Sequence, residues 1–221
     1  MSTSSSEALE AQKRAAAEAA AEEVQDGMLV GLGTGSTVAY LLPALAARKL
    51  KDIRCVATSD ATERIGIELG LAVEPFDALD HLDLAIDGAD QIAPDGWVVK
   101  GGGGAHTREK VVAAAADRFV VIADETKVVE SISAPIPLEL LSFGLPATLA
   151  ALVPTVVRDG APPSPDGGVI ADYGGDLSDV AAVATLLSTT PGVVDHGLFP
   201  PELTSAVIVA HGDGRIERRI Y

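Results

Sequence analysis

The chain has 221 residues, 48% of them hydrophobic, with 32 acidic and 16 basic side chains and a formal net charge of −16. That apolar content excludes a disordered chain, and the length allows one large domain or two small ones around a sizeable core. The acidity excludes nucleic acid and anionic membranes as partners, and it obliges any anion site to gather its own donors. Cys55 is the single cysteine, so no internal disulfide framework and no cysteine-rich zinc centre is available. The longest apolar runs, at 41–47 and 111–116, are too short to cross a bilayer. The opening MSTSSSEALEAQKR lacks the basic start and apolar stretch of a secretory signal, so a cytoplasmic location is expected. The charge has two readings: ordinary solubilising acidity, or adaptation to a salt-rich cytoplasm in which screening removes self-repulsion.

Residues 6–23 are rich in Ala and Glu and predict a helix that ends at Asp26-Gly27. Residues 28–33 then read as a short buried strand and 36–47 as a helix that follows a glycine-rich turn. The pattern repeats with a strand at 53–58, a helix at 60–69 and a buried strand at 82–86. Asp95-Gly96, between Ile92 and Val98, signals a hairpin. Residues 107–116 predict a helix with Thr107 as its N-cap, and 119–124 a strand. This alternation predicts an α/β fold, a Rossmann-like, largely parallel sheet with helices on its faces. Pro135 and Pro137 mark a change of character, with later turns at 162–168 and 174–175. We therefore expect a catalytic domain over 1–132 plus 205–221 and a smaller α+β domain over 133–204. The last stretch reads as a hairpin that returns to the first domain.

Three segments carry chemistry. GLGTGST (31–37) joins a strand to a helix; its glycines let backbone amides approach an anion, and the helix start adds partial positive charge. Thr34, Ser36 and Thr37 add hydroxyls. The segment lacks the third glycine of a dinucleotide fingerprint and the Gly-Lys-Ser/Thr of a Walker loop, so it reads as a one-phosphate cradle or as a ligand-free turn. IDGAD places Asp87 and Asp90 just past a buried strand, where ligands of open parallel sheets collect. KGGGGAHTREK (100–110) joins Lys100, which can steady an oxyanion, to four glycines suited to close backbone approach. It ends with Glu109 in a first helical turn, where the dipole favours a carboxylate able to act as general base. His106 reads as a loop or packing histidine, and Arg108 and Lys110 as a solvated or salt-bridged pair, rather than as catalysts. No second histidine stands at ligand spacing, which argues against a metal.

Together, GLGTGST, DGADQ and KGGGGAHTREK resemble the hallmarks of the ribose-5-phosphate isomerase family of the A type. Lys13, TSD (58–60), IADETK (122–127) and PGVVDHGLF (191–199) extend the resemblance over nearly the whole chain. It implies interconversion of ribose 5-phosphate and ribulose 5-phosphate through an enediolate, in the non-oxidative pentose phosphate pathway, with no metal or organic cofactor. It implies Glu109 as the base between carbons 1 and 2, and Asp87 as the acid of ring opening. Asp90 and Lys100 would hold the substrate oxygens. Substrate would lie along Thr34, Gly35, Ser36 and Thr37, along Gly88 and Ala89, and along Gly101, Gly102 and Gly103, with Lys13 and Lys127 nearby. It further implies a homodimer or homotetramer. Gln91 stands where the family usually has glutamate, and His106 where an apolar residue is common.

Three rivals remain at this level, the first of them another sugar-phosphate isomerase. A related CoA transferase would use a glutamate as covalent nucleophile and need a larger cleft. A non-catalytic sugar-phosphate sensor would normally carry a DNA-binding module, for which this acidic sequence has no spare segment.

Overall fold

The computed structural model describes residues 3–221. In chain order the first elements are α1 (Thr3–Ala21), β1 (Leu29–Leu32), α2 (Val38–Arg48), β2 (Arg54–Ala57), α3 (Asp60–Glu68) and β3 (Leu84–Gly88). A short hairpin follows, β4 (Gln91–Ile92) and β5 (Val98–Val99), then α4 (His106–Ala114) and β6 (Phe119–Asp124). Beyond these come β7 (Ile136–Leu140), α5 (Leu145–Ala151), β8 (Thr155–Val157), β9 (Val169–Tyr173), α6 (Val180–Thr189) and β10 (Val193–His196). The chain closes with β11 (Leu198–Phe199), β12 (Ala206–Ala210) and β13 (Ile216–Ile220).

The main sheet has the order β13-β12-β6-β3-β1-β2, parallel throughout except for the β12–β13 pair. Its central strands are buried along almost their whole length because both faces are covered. Ile86, Val120, Ile122 and Ile208 point to the side of α1 and α2, while Ala85, Phe119, Val121 and Val207 point to the side of α4. Ala16, Ala17, Ala20 and Ala21 are fully buried on α1, small enough for that helix to lie close on the sheet. The final hairpin does rejoin this sheet, with β12 pairing in parallel with β6.

The other strands form an antiparallel sheet of order β10-β7-β9-β8 and a small sheet of order β11-β5-β4. The two meet in one apolar cluster that includes Val99, Ile136, Leu138, Leu198 and Leu187 of α6. Among the described residues no helix is long and apolar enough to cross a membrane.

Two helix starts differ from expectation. Helix α2 begins at Val38, two residues late, because Gly35 takes a positive φ of 118° and residues 33–37 remain an open turn. Helix α4 begins at His106 with Ala105 at its N-cap, so Thr107 is not the cap. The hydroxyl of Thr107 is taken instead by Glu139, a buried carboxylate that also accepts from Ser164 Oγ.

Candidate active site

Strand β1 has β2 on one side and β3 on the other, so successive connections leave it in opposite directions. Such a switch point opens a crevice at the carboxyl ends of the strands. The turn 33–37 leaves β1 there and Asp87 ends β3 there. The two are fitted together: a Cβ on Gly33 would lie 1.8 Å from Asp87 Cγ, so glycine is required for the carboxylate to sit against the turn. Asp87 Oδ1 then accepts from the amides of Thr34 (3.1 Å) and Gly88 (2.6 Å).

Lys100 enters from the end of β5, and its backbone amide donates to Gly197 O at 2.9 Å. Its ammonium donates to Gly88 O at 2.7 Å and faces Asp87 Oδ2 at 2.8 Å and Glu109 Oε2 at 3.0 Å. The Phe199 ring lies 5.6 Å from the same ammonium. Asp87, Lys100 and Glu109 are 3%, 3% and 5% exposed, so two acids share one cation almost without water. Burial raises the pKa of Glu109 to about 7; repulsion from Asp87 adds to this, and Lys100 offsets only part of it. Burial likewise raises Asp87. It works against the Lys100 ammonium, but the two carboxylates outweigh it and hold the pKa of Lys100 above the ordinary lysine value. The site thus couples a fixed positive charge to a carboxylate that titrates near neutrality.

Above this cluster is a cleft of about 210 Å³. One wall is the turn with Thr34, Gly35, Ser36 and Thr37, another the segment Gly88, Ala89 and Asp90. Lys100, Gly101, Gly102 and Gly103 form a third, and Glu109 and Lys127 complete it. Thr37 sits at the N-cap of α2 without using its hydroxyl as a cap, which leaves that group for a ligand. Asp90 accepts from the Gly102 amide at 2.8 Å. Asp87 is not itself among the lining residues but stands beside one of them, Lys100, at 2.8 Å.

Lys13 is not among the residues that line the cleft. It lies on α1 and pairs with Glu10, one turn away, at 2.7 Å. Gln91 turns from the cleft and makes reciprocal hydrogen bonds with Ser133, donating to its carbonyl (2.8 Å) and accepting from its amide (2.9 Å). His106 is fully buried, and burial together with the nearby Lys110 lowers its pKa to about 4, so it packs as a neutral ring. A Cβ on Gly101 would lie 2.8 Å from its Nδ1, which places that ring directly under the glycine loop.

Around the site stand residues to which sequence reasoning gave no site role, although it named the TSD segment and read Lys110 as solvated or salt-bridged. Thr34 Oγ1 is held by Thr58 (2.8 Å) and Ser59 (2.9 Å), both within the TSD segment. Lys110 binds Asp195 Oδ1 (2.6 Å) and lies 5.1 Å from the Phe199 ring, tying α4 to the β10–β11 turn. Arg158 reaches the glycine loop from the far end of β8, with no local signal to announce it.

A second cavity, of about 350 Å³, lies between Glu74, Phe76 and Arg108 but holds none of the buried charges. Among the described residues one group has metal-ligand spacing, His81, Asp83 and Asp117, near the opposite, amino-terminal end of β3.

Residues 54–214 match the family model "Ribose 5-phosphate isomerase A (phosphoriboisomerase A)". The chain is 44% identical over 217 residues to ribose-5-phosphate isomerase A of Caulobacter vibrioides, a match covering 92% of this chain and 95% of that protein. Its fold superposes on ribose 5-phosphate isomerase from Plasmodium falciparum with a TM-score of 0.90 at 30% identity, over 96% of this chain and 99% of that one. A D-ribose-5-phosphate isomerase solved in complex with phospho-erythronic acid matches with the same score, identity and coverage.

Proposed function

Because the chain belongs to the ribose 5-phosphate isomerase A family, we propose that the cleft over Asp87, Lys100 and Glu109 is where it isomerises its sugar phosphate. The protein is an aldose–ketose isomerase that interconverts ribose 5-phosphate and ribulose 5-phosphate. The observation that supports this assignment of the cleft is the single ammonium between two buried carboxylates, one with a pKa near 7.

Aldose-to-ketose conversion moves one proton from carbon 2 to carbon 1 and another from oxygen 2 to oxygen 1. Glu109 is the base for the carbon proton: at neutral pH it can both accept it and return it. The enediolate formed between the two transfers carries its negative charge on oxygen, and the Lys100 ammonium stabilises it. Asp87 faces that ammonium; its raised pKa suits a group that holds and releases the proton needed for ring opening. Asp90 orients a substrate hydroxyl, and the glycine backbone lines the sugar. Ser36, Thr37 and the start of α2 take the phosphate, with Lys127 across the cleft, so binding energy at the remote end positions the reacting carbons. The phospho-erythronic acid in the related structure joins a phosphate to a carboxylate, the same separation of anionic ends.

The reading extends to assembly. Leu141, Phe143, Val153 and Val156 are 50%, 90%, 74% and 69% exposed around the antiparallel sheet, an apolar surface suited to a homodimer or homotetramer. A coupled assay for ribulose 5-phosphate formation, run with and without a chelator, tests the function. Turnover unaffected by chelation is expected; no turnover, or turnover abolished by chelation, overturns the reading.

A further inference from the structure

Glycines 101–104 have no side chains with which to fix their own conformation; one turn bond, from Gly104 N to Gly101 O at 3.0 Å, closes the loop, and neighbours supply the rest of its order. One neighbour is Arg158, which follows β8. Its Nε and Nη2 grip the carboxylate of Asp172 at 2.8 and 2.6 Å. Its Nη1 remains, and donates to Gly101 O at 3.2 Å and Gly102 O at 3.0 Å. The planar guanidinium thus spans from β9 to the glycine loop, and the Asp172 fork sets its angle.

Both peptide bonds concerned are trans, and in a trans peptide the carbonyl and the amide of one plane point opposite ways. With the Gly101 and Gly102 carbonyls turned to Arg158, the amides of Gly102 and Gly103 face the other side. The Gly102 amide meets Asp90 Oδ2 there at 2.8 Å. The Gly103 amide has no acceptor among the described residues, and Gly103 lines the cleft. The cation on the carbonyl side also polarises both planes toward the cleft, in a protein whose overall field opposes an anion.

We propose that Arg158 is a positioning residue for the isomerisation: it sets the two peptide planes that hold Asp90 and present the Gly103 amide to a substrate oxygen. This rests on the reading that the sugar phosphate reacts in this cleft. A purely structural pin would affect stability without a separate effect on turnover.

The test compares Arg158→Met, Arg158→Lys and Arg158→Ala with the parent, reading kcat, KM and melting temperature for each. For folded Arg158→Met and Arg158→Lys, kcat is expected to fall roughly ten- to a hundredfold, the scale of a misplaced or lost oxyanion donor, with a smaller change in KM. Methylguanidinium should restore kcat of Arg158→Ala in a saturable way, and sodium chloride at equal ionic strength should not. Parent-like kcat in folded Arg158→Met overturns the proposal, as does a loss of kcat that tracks melting temperature and that methylguanidinium fails to restore. If Arg158→Met does not fold, Arg158→Lys decides alone, because it keeps the charge but not the fork: parent-like kcat there is equally fatal. An inactive parent would instead count against the reaction assigned to the cleft, so the two failures are distinguishable.

Discussion

On the outer strand β13, Glu217 is surrounded by Arg219 at 2.7 Å, His211 at 2.9 Å and Arg215 at 3.1 Å. Beneath the cleft, Glu109 has Lys100 at 3.0 Å. Both glutamates contact cations, yet their acidities move in opposite directions. The hydrogen bond from Arg219, opposed by burial but reinforced by those from His211 and Arg215, lowers Glu217 to about 2. Burial raises Glu109 to about 7, and Asp87 competes with it for the one ammonium. The difference lies in water and stoichiometry: two acids per cation without solvent, against two arginines per acid in solvent. A carboxylate is made into a base for neutral pH by withholding both water and a full share of positive charge.

The most severe way to break this contrast is Glu109→Gln. We expect turnover to fall by ~10²–10⁴-fold, the usual contribution of a general base, with substrate binding largely kept. Near-normal steady-state turnover in the folded variant would remove Glu109 from that role. Glu217→Gln should leave turnover unchanged.

Next in size is Asp87→Asn. In the parent, kcat should rise with pH through about 7 as Glu109 loses its proton. Removing Asp87 takes away a repulsion that holds Glu109 up, so the acid limb should move to lower pH while the plateau falls. The plateau loss should be greatest with the cyclic sugar if ring opening depends on Asp87. A pH–rate profile in which the limb stays in place would show that Asp87 does not act on Glu109.

These predictions concern residues that were legible in the sequence, and the reason is local. Asp87 ends a run of buried strand residues, Lys100 precedes four glycines and Glu109 falls in a first helical turn; each signal spans a few positions. The parallel sheet was legible for the same reason, since a buried strand and a following helix are both written in short-range periodicity. What depends on distant partners was not. Arg158 meets Gly101 57 positions away. Thr107 looked like a cap because its buried acceptor, Glu139, comes 32 positions later. Lys13 enters the reading by resemblance alone, and its ion pair is with Glu10, three residues back on its own helix.

A smaller effect should separate the wet end of the cleft from the dry one. Ser36→Ala with Thr37→Ala removes two hydroxyl donors from the phosphate cradle but leaves the buried charges alone. KM for ribose 5-phosphate should rise roughly tenfold, as for the loss of hydrogen bonds to a charged group, with little change in kcat. Unchanged KM would place the phosphate elsewhere.

Stability should divide the two glutamates by sign. The folded chain holds a proton on Glu109 that the unfolded chain, with an ordinary value of 4.5, has released. The stability this confers is lost as pH rises from about 4.5 to about 7. For Glu217 the folded value is about 2, so its contribution is present above about 4.5 and lost as pH falls toward 2. At pH values above 7, Glu109→Gln should therefore melt above the parent and Glu217→Gln below it, by a few degrees, since each kcal/mol moves the midpoint of a chain this size by roughly 2–4 °C. Melts of both variants across pH check the signs. Equal signs at alkaline pH would mean that burial does not decide the matter.

Salt gives the gentlest probe, because it screens one region far more than the other. With a net charge of −16 on 221 residues, surface carboxylates repel one another over distances that solvent ions can screen. The screening length falls from ~30 Å at 0.01 M to ~3 Å at 1 M, so at molar salt repulsion is confined to close neighbours. Surface ion pairs such as Arg54–Glu74 weaken at the same time, but pairs of this kind contribute only ~0–1 kcal/mol each. Relief of the repulsion should win, and the melting temperature should rise between about 0.05 and 3 M potassium chloride, a range that spans the change in screening. The charges of the Asp87–Lys100–Glu109 cluster, at most 5% exposed and with each carboxylate within about 3 Å of the ammonium, are screened far less. Their imprint on catalysis, the acid limb near pH 7, should therefore hold its position across the same series. A melting temperature that stays flat or falls would end the case for salt adaptation and leave the acidity as ordinary solubilising charge. A limb that moved with salt would be the more damaging result, because it would mean that screening, and not burial, sets the acidity of the base.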